Sequence, residues 1–282
     1  MTYKEVLKEA QKRCREANLS EQSATLLLLE LSEIEAHNLY YDYDKEMDQN
    51  LYDEYEQALT RLLKQEPLQH ILGYEWFYGY KFKVNEDVLI PRPETEELVA
   101  NILADYDEYF KGQKVNLIDV GSGSGAIAIS LKKEEDNLNV YASDISEKAV
   151  AVAKENAQAM NVDVTFLVGD MLQPFIDKEI KVDILVSNPP YIPQAEEMEK
   201  SVVDFEPHVA LFGGEDGLKF YRIIFENAYK ILNEKSILAF EMGYDQKEAM
   251  EREARKYFPE ARMETVKDIN GKNRMFFIYN NF

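Results

Sequence analysis

The stretch "KVNLIDVGSGSGAIAISLKK", from Lys114 to Lys133, carries the clearest structural signal in the chain. Val115 to Val120 is a short, mostly apolar run. Glycines at 121, 123 and 125 interrupt it before apolar residues resume at Ala126. Glycine accepts positive φ at little cost, so this spacing bends the chain sharply between two elements. The pattern reads as a strand, a tight glycine turn and a helix. An apolar strand of this kind is buried on both faces, as in a parallel sheet.

The same alternation continues on the carboxyl side. "LNVYASD" precedes the helical "SEKAVAVAKENAQAM", and "VDVTFLVGD" leads through a loop to "KVDILVSN". After a long irregular stretch come a helix, "GLKFYRIIFENAYKIL", a strand, "SILAFEMG", and a last helix, "DQKEAMEREARKYF". "ARMETVKD" and "NRMFFIYN" are expected to pair as antiparallel strands around Asn270-Gly271, a favoured hairpin turn. Strand–helix alternation predicts an α/β fold, a mainly parallel sheet covered by helices on both faces. Ligands of such sheets collect at the carboxyl ends of the strands.

The amino-terminal third has a different rhythm. Residues 1 to about 66 read as helix throughout. Val6, Leu7, Ala10 and Cys14 share one face of a first helix, and Ser20 caps a second that runs through "SEQSATLLLLELSEIEAHNLYYD". "DKEMDQNLYDEYEQALTRLLKQ" forms a third, ended by Pro67. Next, "YEWFYGYKFKV" reads as a β-hairpin near Gly79, with Trp76 packed among its aromatic neighbours. "VLIPRPETEELVANIL" then opens a helix. Pro93 suits its first turn, and Glu94, Glu96 and Glu97 suit its positive end. Arg92 to Thr95 read first as a linker and helix start, with the lining of a ligand cleft between the domains as the alternative.

The chain has 282 residues, 45% of them hydrophobic, enough for a packed core. Lys and Arg total 32 against 53 Asp and Glu, a net charge of −21. That balance opposes sequence-independent nucleic-acid binding, which needs cations to displace counterions. The single cysteine, Cys14, cannot form an internal disulfide. His37, His70 and His208 are scattered without metal-ligand spacing, so no metal is expected. "MTYKEVLKEA" is charged from its fourth residue and shows no signal, and "LLLL" at 26–29 is too short to span a bilayer. A soluble cytoplasmic protein without membrane contact is expected.

Two stretches carry chemistry. In "DVGSGSGAIAIS" the glycines allow close approach of a ligand, and the helix start offers unpaired N–H groups. The next strand ends at Asp144, placed to accept both hydroxyls of an adenosine ribose. Loop, strand and acidic residue in this order point to a nucleoside-type cofactor. Gly121, Gly123 and Ala126 also satisfy the dinucleotide pattern G-x-G-x-x-A, so the loop alone leaves a nicotinamide cofactor open.

The second stretch is "ILVSNPPYIP", Ile184 to Pro193. Pro189 and Pro190 lack N–H groups and hold Asn188 extended. The Asn188 amide oxygen and the adjoining carbonyls then form acceptors for a planar –NH2 group, while Tyr191 offers a flat face. An amide or aromatic amine is a weak nucleophile. Two N–H···O bonds would orient its nitrogen and stabilise the positive charge it gains on methylation. In-line alignment supplies most of what a sulfonium methyl transfer needs, and the proton can leave afterwards. Hydride transfer has no use for such acceptors, which disfavours the nicotinamide reading.

On "DVGSGSGAIAI", "SDIS", "GDM" and "NPPYIP" the chain resembles the class I S-adenosylmethionine-dependent methyltransferases that act on nitrogen. More narrowly, with "PLQHILG", "IPRPETE", "FEPHVALFGGEDGL" and "DINGKNR", it resembles the protein-glutamine N5-methyltransferases that modify peptide chain release factors. His70 departs from the tyrosine usual there. The resemblance implies a Rossmann-like catalytic sheet with an antiparallel carboxy-terminal strand, preceded by a small all-α domain. It implies a substrate-docking helical domain over 1–72, a hairpin linker over 73–92 and a catalytic domain over 93–282. It implies that Gly121, Ser122, Gly123, Ser124 and Gly125 carry the methionine part of S-adenosylmethionine, Asp144 the ribose, and Asp170 and Met171 the adenine. Asn188, Pro189, Pro190 and Tyr191 would hold the glutamine amide, with Asn188 also bordering the cofactor and Asn188, Pro189 and Tyr191 catalytic. The partner implied is a class I release factor, methylated in its Gly-Gly-Gln loop. The acceptor stretch by itself suits adenine N6 or a ribosomal-protein glutamine as well. The acidic loop "AEEMEKSVVDFEPH" is a candidate to close over the glutamine.

Overall fold

The computed structural model describes residues 1–196 and 204–282. Two compact units divide the chain: the first takes residues 1–74 together with the described residues 204–205, and the second takes 75–196 and 206–282.

The first unit holds α1 (Tyr3–Glu16), α2 (Glu21–Ser32), α3 (Ala36–Asp42), α4 (Gln49–Leu62) and α5 (Leu68–Leu72). Short side chains start three of them. Thr2 and Glu5 form a reciprocal capping box on α1, Ser20 accepts the Gln22 N–H, and Asp48 accepts those of Asn50 and Leu51. Each helix turns an apolar face inward. On α4 the buried set is Tyr55, Ala58, Leu59 and Leu62, a 3.6-residue stripe. These pack with Val6, Leu7, Leu27 and Leu28, and the Tyr55 hydroxyl donates to the Ala24 carbonyl at 2.9 Å.

Two helices differ from expectation. The second helix is not continuous: it stops at Ser32, Glu33 takes a left-handed conformation, and α3 starts afresh at Ala36. The Ser32 hydroxyl donates to the Leu29 carbonyl and accepts the Ile34 N–H, so local side-chain bonding competes with the helix there. The third starts only at Gln49, because Thr2 bridges Glu46 and the Met47 N–H donates to Met1, drawing residues 46–47 into an extended pairing. Beyond Pro67, an unexpected short α5 ends at Gly73, with φ of 80°.

A hairpin, β1 (Tyr74–Phe77) and β2 (Tyr80–Lys83), begins at the last residue of the 1–74 stretch and leads into the second unit. Here Phe77 and Phe82 are buried, whereas Trp76 is 57% exposed. Trp76 is therefore not the packing residue of the hairpin: alternation puts it on the face opposite Phe77. Then follow α6 (Pro93–Tyr109), β3 (Val115–Val120), α7 (Ala126–Glu134), β4 (Leu138–Asp144), α8 (Glu147–Ala159), β5 (Val164–Val168) and α9 (Gln173–Asp177). The last of these stands where a plain loop was expected. The unit continues with β6 (Val182–Ser187), α10 (Lys219–Ala228), β7 (Leu232–Glu241), α11 (Lys247–Arg255), β8 (Arg262–Lys267) and β9 (Asn273–Asn280).

The seven-stranded sheet has the order β5-β4-β3-β6-β7-β9-β8. Its first five strands run parallel, while β9 is antiparallel to both β7 and β8, as expected. Alternate residues supply two cores. Leu117, Val186 and Ala239 meet Leu98, Ile102 and Ala128 on one face. Ile118, Leu185 and Phe240 meet Tyr221, Phe225 and Met250 on the other. Burial of each large apolar side chain stabilises by about 1.5–3 kcal/mol, which is why the parallel strands read as unbroken apolar runs. The chain leaves β3 for β4 on one side and later returns to place β6 on the other. This reversal opens a crevice at the carboxyl ends of β3 and β6. No helix among the described residues is long and apolar enough to cross a membrane.

Candidate active site

The carboxyl ends of β3, β4, β5 and β6 bring together a cavity of about 210 Å³. Gly121, Gly123, Asp144, Asp170, Met171, Asn188 and Pro190 line it. So do Val88 and Leu89, which precede α6, and Val209, Ala210 and Phe220, none of which the sequence singled out by residue. Ile145 and Val209 are 54% and 55% exposed, and the cavity wall is where that apolar surface lies.

The glycine turn divides its labour. A Cβ on Gly121 or Gly123 would meet nothing within 4 Å, so their open side faces space that a ligand can fill. Gly125 is different: a Cβ there would sit 2.8 Å from Ile129 Cδ1 and 3.1 Å from Ala153 Cβ. Its left-handed backbone, φ 82°, starts α7 and lets α7 and α8 approach. Ser122 and Ser124 are buried and lie outside the cavity lining. Beneath the turn, Asp119 accepts the Ala128 N–H at 3.2 Å, and burial pushes its carboxyl up to about 7.

Asp144 ends β4. One carboxylate oxygen accepts the Gly123 N–H and the other the Ser146 N–H, both at 2.9 Å. Burial pushes its carboxyl above the ordinary range, and these N–H groups oppose the shift. A carboxylate has about four lone-pair sites, so these backbone N–H groups leave acceptor capacity for a hydroxyl. A carboxylate acceptor, two glycines with open space, and apolar walls fit an adenosine-bearing ligand.

The Asn-Pro-Pro-Tyr stretch leaves β6 and is braced from behind. The Gly213–Gly217 loop packs so closely that a Cβ at Gly213 would lie 2.5 Å from the Pro190 carbonyl oxygen, and one at Gly217 2.2 Å from that of Tyr191. Gln246 donates to the Tyr191 carbonyl at 3.0 Å and accepts the Gly243 N–H at 2.9 Å. The Tyr191 carbonyl is therefore engaged within the protein. Asn188 donates through its side-chain nitrogen to the Thr95 hydroxyl at 3.3 Å. Thr95 donates to Glu241 at 2.5 Å, and the Tyr191 phenol donates to the other Glu241 oxygen at 3.1 Å.

Arg92 and Thr95 are not among the residues lining the cavity. Arg92 pairs with Glu206 at 2.6 Å, and the second Glu206 oxygen accepts the Ile90 N–H at 3.1 Å. Of the helix-start carboxylates, Glu96 accepts the Tyr78 N–H and Glu97 that of Ile269. Sequence reading missed Glu241 altogether. Its signal was a lone carboxylate inside the apolar strand "SILAFEMG". Half of the acidic loop that is a candidate to close over the substrate, residues 197–203, lies outside the described residues.

Residues 5–73 match the PrmC N-terminal domain and residues 96–205 the methyltransferase small domain. The release factor glutamine methyltransferase of Bacillus cereus is 41% identical over 279 residues, covering 98% of this chain and 99% of that protein. The chain belongs to the release factor glutamine methyltransferase family. The relative from Bacillus subtilis is 41% identical over 97% of this chain and 96% of its own length, and that from Staphylococcus aureus 36% over 98% of both. Among solved structures, a methyltransferase from Pyrococcus furiosus aligns with a TM-score of 0.54 at 16% identity, covering 80% of this chain and 99% of that one. A 16S rRNA methyltransferase of Thermus thermophilus, solved with AdoMet and guanosine, gives 0.51 at 14% identity, covering 74% and 50%. These two show the shared fold.

Proposed function

We propose that this protein methylates the side-chain amide nitrogen, N5, of the glutamine in the Gly-Gly-Gln motif of class I peptide chain release factors. One observation carries the reading. Asn188 and Pro190 lie on the same cavity as Gly121, Gly123 and Asp144, in a chain that aligns end to end with release factor glutamine methyltransferases. A cytoplasmic location goes with this reading, and the helical unit is read as the docking surface for the release factor.

S-adenosylmethionine would be held by the glycine turn at its methionine part, by Asp144 at the ribose hydroxyls and by Asp170 and Met171 at the adenine. When bound, it supplies an electrophilic methyl group on a sulfonium. Asn188 Oδ1 and the Pro189 carbonyl accept the two N–H groups of the glutamine amide, with Pro190 and Tyr191 shaping the slot. These acceptors orient the nitrogen and stabilise the positive charge it develops as it gains the methyl group. The surplus proton then leaves to solvent, so no base is needed before attack.

The test is to incubate the protein with S-adenosylmethionine and a folded class I release factor, and to locate the product by mass spectrometry. One added methyl group on the Gly-Gly-Gln glutamine is expected. Parallel incubations with ribosomes and with DNA complete the test, and preferential labelling of either would sink the proposal.

A further inference from the structure

The Asn188 side chain can face its substrate in two ways. Its oxygen and nitrogen ends are nearly identical in shape, and only hydrogen bonding decides which end points where. An amide turned the wrong way would present N–H groups to a nitrogen that also carries N–H groups. Something must hold the oxygen outward.

Thr95 and Glu241 provide that constraint. Glu241 is 2% exposed, and each of its two oxygens accepts from a hydroxyl, one from Thr95 and the other from Tyr191. Thr95 has a single hydroxyl proton, and it is committed to Glu241 at 2.5 Å. Toward Asn188, the Thr95 oxygen can therefore only accept. The end of Asn188 that lies 3.3 Å away must be its NH2 group, which leaves Oδ1 for a substrate N–H. Burial pushes the Glu241 carboxyl above its ordinary range, and the Thr95 hydroxyl, the Arg274 guanidinium and the Tyr191 phenol oppose that shift. Arg274 is itself held by Asp268 at 3.2 Å, and Asp268 also closes the turn between β8 and β9 by accepting the Asn270 and Lys272 N–H groups. A buried carboxylate is a poor way to stabilise a strand, since an apolar residue of similar size serves at least as well.

We infer that Glu241 and Thr95 are positioning residues for methyl transfer, acting through Asn188 by fixing its amide with the oxygen toward the substrate nitrogen. This rests on the proposed role of Asn188 as acceptor. In Glu241→Gln the new amide can donate to Thr95, which frees the hydroxyl to donate to Asn188 and turn it around.

The experiment measures kcat, KM for the release factor and cofactor affinity by calorimetry on the full-length protein. Glu241→Gln and Thr95→Val are expected to lower kcat by about 10²-fold, the scale of a misplaced reacting group, with cofactor affinity and KM within about threefold. Thr95→Ser restores the hydroxyl and should restore kcat. Adding Glu241→Gln to Thr95→Val should cost little more, because the link is already cut. An inactive Asn188→Ala beside Glu241→Gln and Thr95→Val variants with kcat within about twofold of wild type would overturn the inference and leave the acceptor reading standing. A fully active Asn188→Ala would remove that reading instead. If Glu241→Gln fails to bind cofactor, the Thr95 pair decides, and equal kcat for the Val and Ser variants rejects the inference.

Discussion

The helical unit and the sheet unit bury different kinds of atoms. Among the described residues of the first, His70 is the polar side chain that is buried, and the interior is otherwise Leu, Val, Ala, Cys, Met and Tyr. The second buries Thr95, Asp119, Asn156, Ser187, Glu206, Glu241, Gln246 and Asp268. Buried polar groups cost stability unless they are hydrogen-bonded, and buried charges cost more. Some of these groups are structural. Asn156 accepts the Lys83 N–H and donates to the carbonyls of Lys83 and Ser124, tying the hairpin to the glycine turn. Others, Thr95 and Glu241 above all, hydrogen-bond the side chains of Asn188 and Tyr191. Apolar packing accounts for the first unit. The second departs from it around the Asn-Pro-Pro-Tyr stretch.

Mutations should therefore separate the two regions by what they change. The largest effect is expected for Asn188→Ala, which should lower kcat by about 10³-fold, as loss of a preorganised charge-stabilising group does. Cofactor affinity should stay within about tenfold, since the lost contacts are to substrate. Wild-type turnover in that variant would erase the distinction between the regions. Leu27→Ala, in the helical core, should instead destabilise by about 3 kcal/mol in denaturant unfolding, while kcat per folded molecule holds. A fall in kcat at unchanged stability would show that the helical unit does more than pack.

Asp144→Ala should weaken cofactor binding by about 1–3 kcal/mol, read by calorimetry, because ribose hydroxyls lose their acceptor. Unchanged affinity would remove Asp144 from the site. The smallest change is expected for Asp48→Ala. Losing the cap of α4 should cost about 1 kcal/mol of stability and leave kinetics untouched. A kinetic effect there would point to α4 as part of the reaction machinery.

Much of the fold was legible because it is written in short-range pattern. Apolar runs marked β3 and β6, the glycine turn marked the start of α7, and Asn270-Gly271 marked the last hairpin. Helix ends were harder. Nothing in "ELSEIEAHN" is a strong breaker, and the interruption after Ser32 comes from its hydroxyl bonding to nearby backbone. Trp76 was misjudged for a related reason. Aromatic density shows that a hairpin packs, and the pairing register decides which ring is inside.

The sequence by itself determined the elements whose cause is local: periodicity for strands and helices, positive φ at glycine, and the fixed φ and missing N–H of Pro189 and Pro190. It thereby also singled out Asn188, Pro190 and Asp144, which line one cavity. Only the tertiary structure decided that Thr95 meets Glu241, 146 residues away, and that their bond sets which way Asn188 points. Local pattern records how each segment folds. The partners of a buried polar atom depend on how the sheet and its helices come together, because burial removes the water that would otherwise satisfy it.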